Sequence, residues 1–239
     1  MAFKFMTKYV SLIFIFSFSH LDLYSQDKGY LAISIGPSFT VGDFRSIDFD
    51  NERAGFAEVG TVTDFSFAYR FGKSLGIAAM LRWQSNGLDI DPLLSEMKKL
   101  YPTAKWSATS DNWTLNGFLL GFYSSFPIEK STTCFEVRAM LGYMSATLPD
   151  YSISGTSNGV TLISKINTQS AGTACFLLGA GFRFKIGAKA SILLNMDYSS
   201  ATAEFQHTSN TTNFSSSSNY DITQEMKTVN IGFGIGLRL

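Results

Sequence analysis

The chain ends in "MKTVNIGFGIGLRL", residues 226–239, where Val229, Ile231, Phe233, Ile235, Leu237 and Leu239 alternate with Asn230, Gly232, Gly234, Gly236 and Arg238. A period of two gives a strand one apolar face and one face of glycines and polar groups. What that apolar face meets, a protein core or something else, decides the fold.

The same period recurs in eight segments, roughly 30–41, 60–71, 74–85, 113–126, 133–144, 172–185, 189–203 and 228–239. Their connections alternate in length. Tight turns fall near 72–73, at "PIEKST" 127–132 and at "IGAK" 186–189, whereas the stretches 42–59, 86–112, 145–171 and 204–227 are long and polar. Long loops at one end and short turns at the other are the layout of a membrane barrel. The faces agree. Phe135, Val137, Ala139, Leu141 and Tyr143 alternate with Glu136 and Arg138, and Phe176, Leu178, Ala180, Phe182 and Phe184 oppose Cys175, Gly179, Gly181 and Arg183. Ile192, Leu194, Met196 and Tyr198 stand against Asn195 and Asp197. Glycines that make room and charges that must pair suit the narrow interior of an eight-stranded barrel. Segment 113–126 has apolar groups on both faces, so its register stays open.

The predicted fold is therefore all-β, an eight-stranded antiparallel up-and-down transmembrane β-barrel. The last strand pairs with the first and abolishes the sheet edge. Tyr30, Tyr69, Phe71, Phe126 and Phe184 are expected to form an aromatic girdle at the short-turn end, with Trp83, Trp113, Tyr143 and Tyr198 toward the long loops. Composition fits. Charged residues make up 16% of the chain, basic and acidic side chains cancel at 19 each, and Phe alone numbers 22. That balance gives no footprint for a nucleic-acid partner.

Residues 1–25 carry Lys4 and Lys8, an apolar run from Tyr9 to about Phe18 and a more polar end, the layout of a secretory signal peptide. The run is too short to span a bilayer as a helix. The barrel domain is assigned to 26–239, with no wall-binding domain expected after it.

With "GPSFTVGDF" at 36–44, "AGFAEVG" at 54–60, a leader ending in "SQ" and the alternating final strand, the chain resembles the eight-stranded outer-membrane β-barrel proteins of Bacteroidetes-type bacteria, related in architecture to the barrel of outer-membrane protein A. The resemblance implies residence in outer-membrane lipid and insertion by machinery that reads the final strand. That strand usually ends in an aromatic residue, and here it ends in Leu239.

The candidate site is the lumen. Register through the turn at 72–74 sets Asp64 opposite Arg82. Glu136, Arg138, Arg183 and Arg70 are expected to cluster lower, with Arg238 at the periplasmic mouth and Asp197 higher. These charges read as a plug that specifies closure; a gated ion path is the other reading, in a lumen normally too narrow for one. Within the stretch 86–112, "DPLLSEMKKLYP" at 91–102 predicts a short amphipathic helix with Asp91 as N-cap and Pro92 as first residue.

"HTSN" at 207–210 is similar to the His-x-Ser-Asn core of outer-membrane lipid A deacylases, themselves eight-stranded barrels. That resemblance would make His207 a general base, Ser209 a nucleophile and Asn210 an oxyanion donor, with Glu225 or Glu204 to orient the histidine. The surrounding Ser, Thr and Asn-rich stretch equally reads as a hydrated loop. Cys134 and Cys175 enter from opposite ends, about 30 Å apart at ~3.3 Å per residue, too far for a disulfide. No metal cluster or cofactor motif is read. The expectation is a monomeric, non-enzymatic structural or surface-interaction protein whose loops meet an extracellular ligand or protein. A lipid A deacylase-like hydrolase and a soluble periplasmic ligand-binding barrel are the alternatives.

Overall fold

The computed structural model describes residues 28–129, 131–157, 160–166, 168–211 and 217–239. The leader read at 1–25 lies outside them. Eight antiparallel strands close into a hydrogen-bonded ring: β1 (Gly29–Val41), β2 (Ala57–Arg70), β3 (Leu75–Leu88), β5 (Trp113–Pro127), β6 (Thr133–Leu148), β9 (Gln169–Ile186), β10 (Ala190–Thr211) and β11 (Ser217–Arg238). The closing ladder joins β1 to β11, from Tyr30 opposite Arg238 to Val41 opposite Lys227. The alternation quoted from the chain end is what makes this possible. Phe233, Ile235 and Leu237 face outward, while Gly232 and Asn230 face the interior.

Apolar residues cover the outside of the ring. Leu141 is 71% exposed, Ile235 68% and Phe122 62%, whereas Leu119 and Leu177 inside are 1% and 0%. This is the reverse of a soluble barrel, and a continuous apolar exterior far exceeds the patches tolerated in water. Among the described residues no helix is long and apolar enough to cross a membrane, so any crossing rests on the strands.

The open register of 113–126 resolves. Trp113, Leu115, Leu119, Tyr123 and Ser125 point inward, and Phe118, Leu120 and Phe122 outward. Both faces are apolar because the lumen here is filled by leucine, not by charge. Two expected girdle residues are corrected by the same parity. Tyr30, 4% exposed, and Trp113, 3% exposed, belong to the interior. Phe71, Phe126, Phe184, Trp83 and Tyr143 do face outward.

Above the ring the long loops hold structure that their composition hid. Three further strands, β4 (Lys105–Ser110), β7 (Tyr151–Ser157) and β8 (Val160–Ile166), extend the sheet in the order β10–β8–β7–β4. They hang on the upper part of β10, where Ser209 pairs Ile166 and Thr211 pairs Ser164. The helix α1 spans Asp91–Leu100 and starts one residue earlier than expected, with Ile90 at the N-cap. Asp91 is not the cap. The carboxylate of Asp89 instead accepts the Asp91 amide at 3.2 Å, a local turn that sets up the helix start.

Candidate functional site

Three layers of side chains fill the ring. At the short-turn end Glu136 on β6 is held from two sides: Arg183 Nε on β9 donates to Oε1 at 2.8 Å, and the Tyr30 hydroxyl on β1 donates to Oε2 at 3.0 Å. The guanidinium carbon of Arg183 sits 5.0 Å from the Tyr30 ring centroid, and Tyr123 meets that ring edge-on at 6.3 Å. Desolvated in this way, a cation over an aromatic face is worth about 2 kcal/mol.

The middle layer is a chain of four charges across the lumen. Asp64 and Arg82 stand opposite in the β2–β3 ladder. Arg82 grips Asp64 with Nε and Nη2, both at 2.8 Å, and Nη2 also reaches Asp197 on the far wall at 3.1 Å. Asp197 in turn accepts Nε and Nη2 of Arg138 at 2.9 and 2.7 Å. The order Asp64–Arg82–Asp197–Arg138 alternates in sign and sums to zero. Forked guanidinium–carboxylate bonds of this kind are the geometry in which buried charges best offset their desolvation.

Arg138 therefore does not join Glu136 and Arg183 in a lower cluster, and Asp197 does not stand above the network. The reason is Gly179. Register places Arg138 opposite Gly179 and Gly179 opposite Asp197, so the three residues form one row across β6, β9 and β10. A Cβ on Gly179 would lie 2.0 Å from Asp197 Oδ1. Without one, the guanidinium passes over the glycine. Arg70 lies half-buried at the short-turn end of β2, and Arg238 donates to the carbonyl of Gly187 in the β9–β10 turn.

The upper layer is polar and uncharged. The amide nitrogen of Asn86 donates to the Ser38 carbonyl at 3.1 Å and to the Glu58 carbonyl at 3.0 Å, while Gln84 donates to Asn86 Oδ1 at 2.8 Å. Ser199, Thr228 and Asn230 complete it on β10 and β11. Over this layer sits an aromatic lid absent from the sequence reading. Phe44, in a 3-10 turn at Gly42–Arg45, is fully buried; it meets the Trp113 ring at 5.4 Å, and Trp113 meets Phe205 at 6.1 Å. Trp113 Nε1 donates to the Gly55 carbonyl at 3.1 Å, which draws the loop across the mouth. The signal for Trp113 was its parity with Leu115; Phe44 sits in a loop and had none.

What space remains is small. The cavity between the two charged layers, lined among others by Tyr30, Glu136, Arg138 and Asn195, measures about 10 Å³. That is roughly one water molecule, not a conduit. A wider open depression of about 540 Å³ lies outside, on the shoulder of the mouth between Arg45, Ile47, Glu58, Val59 and Asp89.

No family model matches the chain, and no curated protein does. Among solved structures it is similar to a major outer membrane protein from Thermus thermophilus, at 12% identity and a TM-score of 0.51, over 88% of this chain and 99% of that one. The likeness is one of fold. Neisserial surface protein A aligns at 10% identity and TM-score 0.47, over 88% of this chain and 97% of its own. The attachment invasion locus protein of Yersinia pestis aligns at 14% and 0.46, over 90% and 100%. A barrel fold hosts many activities, so function here is argued from the lumen and the loops.

The "HTSN" positions fall on the upper part of β10, whose backbone pairs His207 with Tyr220 and Ser209 with Ser218. The side chains of His207, Ser209 and Asn210 lie outside the described residues. Cys134 and Cys175 are free thiols, buried and separated along β6–β9: Cys134 pairs Arg183 whereas Cys175 pairs Gly142. Among the described residues no group of three His, Cys, Asp or Glu could hold a metal ion.

Proposed function

We propose that this chain is an integral outer-membrane barrel with a sealed lumen, acting through the sheet and loops above its mouth and through neither a pore nor a catalytic centre. The observation that carries the reading is the lumen itself: alternating charges are bonded from wall to wall beneath a roof of Phe44 and Trp113, and the cavity between the two charged layers measures about 10 Å³. Outward, the apolar belt matches hydrocarbon. Upward, β10 and β11 run on for 22 residues each, and β10 carries β8, β7 and β4 as an added sheet surface. That surface is the place for a ligand or partner.

Register does not favour the hydrolase alternative. Thr202 pairs Glu225 and Glu204 pairs Thr223, so positions 204 and 225 share one face of the ladder. Position 207 has the opposite backbone parity in the ladder from positions 204 and 225.

The deciding experiment is outer-membrane fractionation followed by gel mobility with and without boiling in detergent. A closed barrel stays compact until heated and then shifts. Release into the soluble periplasm with no shift would overturn the reading.

A further inference from the structure

We infer that the short-turn end of the barrel is a binding collar for anionic phospholipid headgroups in the leaflet that faces it. The inference rests on the membrane reading above and adds a lipid ligand that the reading does not require.

Charge is segregated along the barrel axis. The lumen pairs are neutral as a set, so the remaining charges lie at the two ends. At the short-turn end stand Lys28, Arg70, Lys73, Lys185, Lys189 and Arg238. Glu129 is the one acidic side chain there among the described residues, and counting the α-carboxylate of Leu239 still leaves six basic groups against two. At the opposite end Asp43, Asp48, Asp50, Glu52, Glu58 and Asp89 begin a set of acids that outnumbers the bases. A net neutral protein is thus basic below and acidic above.

The basic residues are also gathered by the fold. On both sides of the closing seam and across it, the Arg70 amide bonds the Lys28 carbonyl, the Leu239 amide bonds the Gly29 carbonyl at 2.9 Å, and the Arg238 amide bonds the Lys189 carbonyl at 2.8 Å. Lys189, Arg238, Lys28 and Arg70 therefore lie at the short-turn ends of four consecutive strands, β10, β11, β1 and β2, in one arc about 15 Å wide at ~4.8 Å per strand. Lys73 continues it in the next turn. Lys28, Lys73 and Lys189 are exposed.

Position relative to the belt identifies the ligand class. Lys73 sits in the turn between Phe71 and Leu75, both exposed on the outer face, whereas Lys185 shares the inward parity of Arg183 and stands at the mouth of the lumen. Exposed lysines in the turns that border the belt lie at headgroup depth, where their stems cover apolar surface and their ammonium groups reach phosphate. A basic cluster at that depth selects lipids of net negative charge, each Lys contributing about fivefold in affinity and losing it with added salt.

The test uses the full chain in nonionic detergent, titrated with phosphatidylglycerol or phosphatidylcholine and read by native mass spectrometry for retained lipid. The wild type is expected to retain phosphatidylglycerol at least tenfold over phosphatidylcholine. The triple variant Lys28→Gln, Lys73→Gln, Lys189→Gln should lose that preference, and Lys105→Gln with Lys165→Gln at the other end should keep it. Equal retention of both lipids, or a preference that survives the triple variant, overturns the collar. So does retention of soluble muropeptides in place of phosphatidylglycerol, which would assign the patch to the cell wall. Boiling each sample separates the two readings. A heat shift without lipid preference sinks the collar alone, and no heat shift in the wild type sinks the barrel reading and the collar with it.

Discussion

A Cβ on Gly179 would also stand 2.8 Å from Arg138 Nε, so Gly179→Ala has to expel one arm of the Arg138–Asp197 fork. Breaking a buried pair costs about 3–5 kcal/mol. The variant should lose stability on that scale, read as a lower urea midpoint in lipid vesicles; an unchanged midpoint would mean the fork can be rearranged cheaply. Arg82→Met tests the other arm. Asp64 loses its cation while Asp197 keeps Arg138, so Arg82→Met alone should cost about as much, and adding Asp64→Leu should recover most of it. No recovery in the double variant would show that Arg82 matters for its contacts with the far wall. At this scale the sequence was legible where pairing is local. Asp64 and Arg82 are joined by one tight turn and fall opposite by counting. Arg138 and Asp197 are separated by β9, and nothing in a linear chain says that a glycine between them opens the way. Tyr30 reads as a girdle residue by type and as a lumen residue by parity; parity was the better guide.

Elements divide by whether they belong to the ring or to the sheet above it. Every ring strand has an apolar outer face, and period two located all eight, with the facing of 113–126 left open by its two apolar sides. "KWSATS", "YSISGTS" and "VTLISKI", which form β4, β7 and β8, are six or seven residues long and lie in stretches that read as polar loops, although Ile153 on β7 is buried. Their order comes instead from β10, which continues past the belt and offers a free edge. An experiment follows from that dependence. Replacing 207–220 by an Asn-Gly turn between the paired Gln206 and Asp221 keeps Phe205 in the lid and the ring ladders below it. The truncated protein should still shift on heating, while amides of 151–166 lose hydrogen-exchange protection. Protection retained there would mean that β7 and β8 are held by β4 and α1, with β10 incidental.

Taken whole, and on the function proposed above, the barrel is a sealed cylinder whose plug is built from its own wall. It should therefore give no conductance steps in a planar bilayer, in contrast to an open porin, and steps seen with the wild type would refute the seal. The same wall shows how sequence and architecture part company. Outside and inside are legible in the alternation, because lipid and lumen demand opposite chemistry; the lid is not, because Phe44 reaches the mouth only once the ring has brought β1, β5 and β10 together.

The seam between β1 and β11 joins segments about 200 residues apart, a far greater loop to close than any other neighbour pair in the ring. Such distant pairings form slowly. Until they form, both strands carry bare amides and carbonyls that hydrocarbon cannot solvate. A half-zipped ring is thus no resting place. Assembly should run as a single late commitment, made when the last ladder shuts.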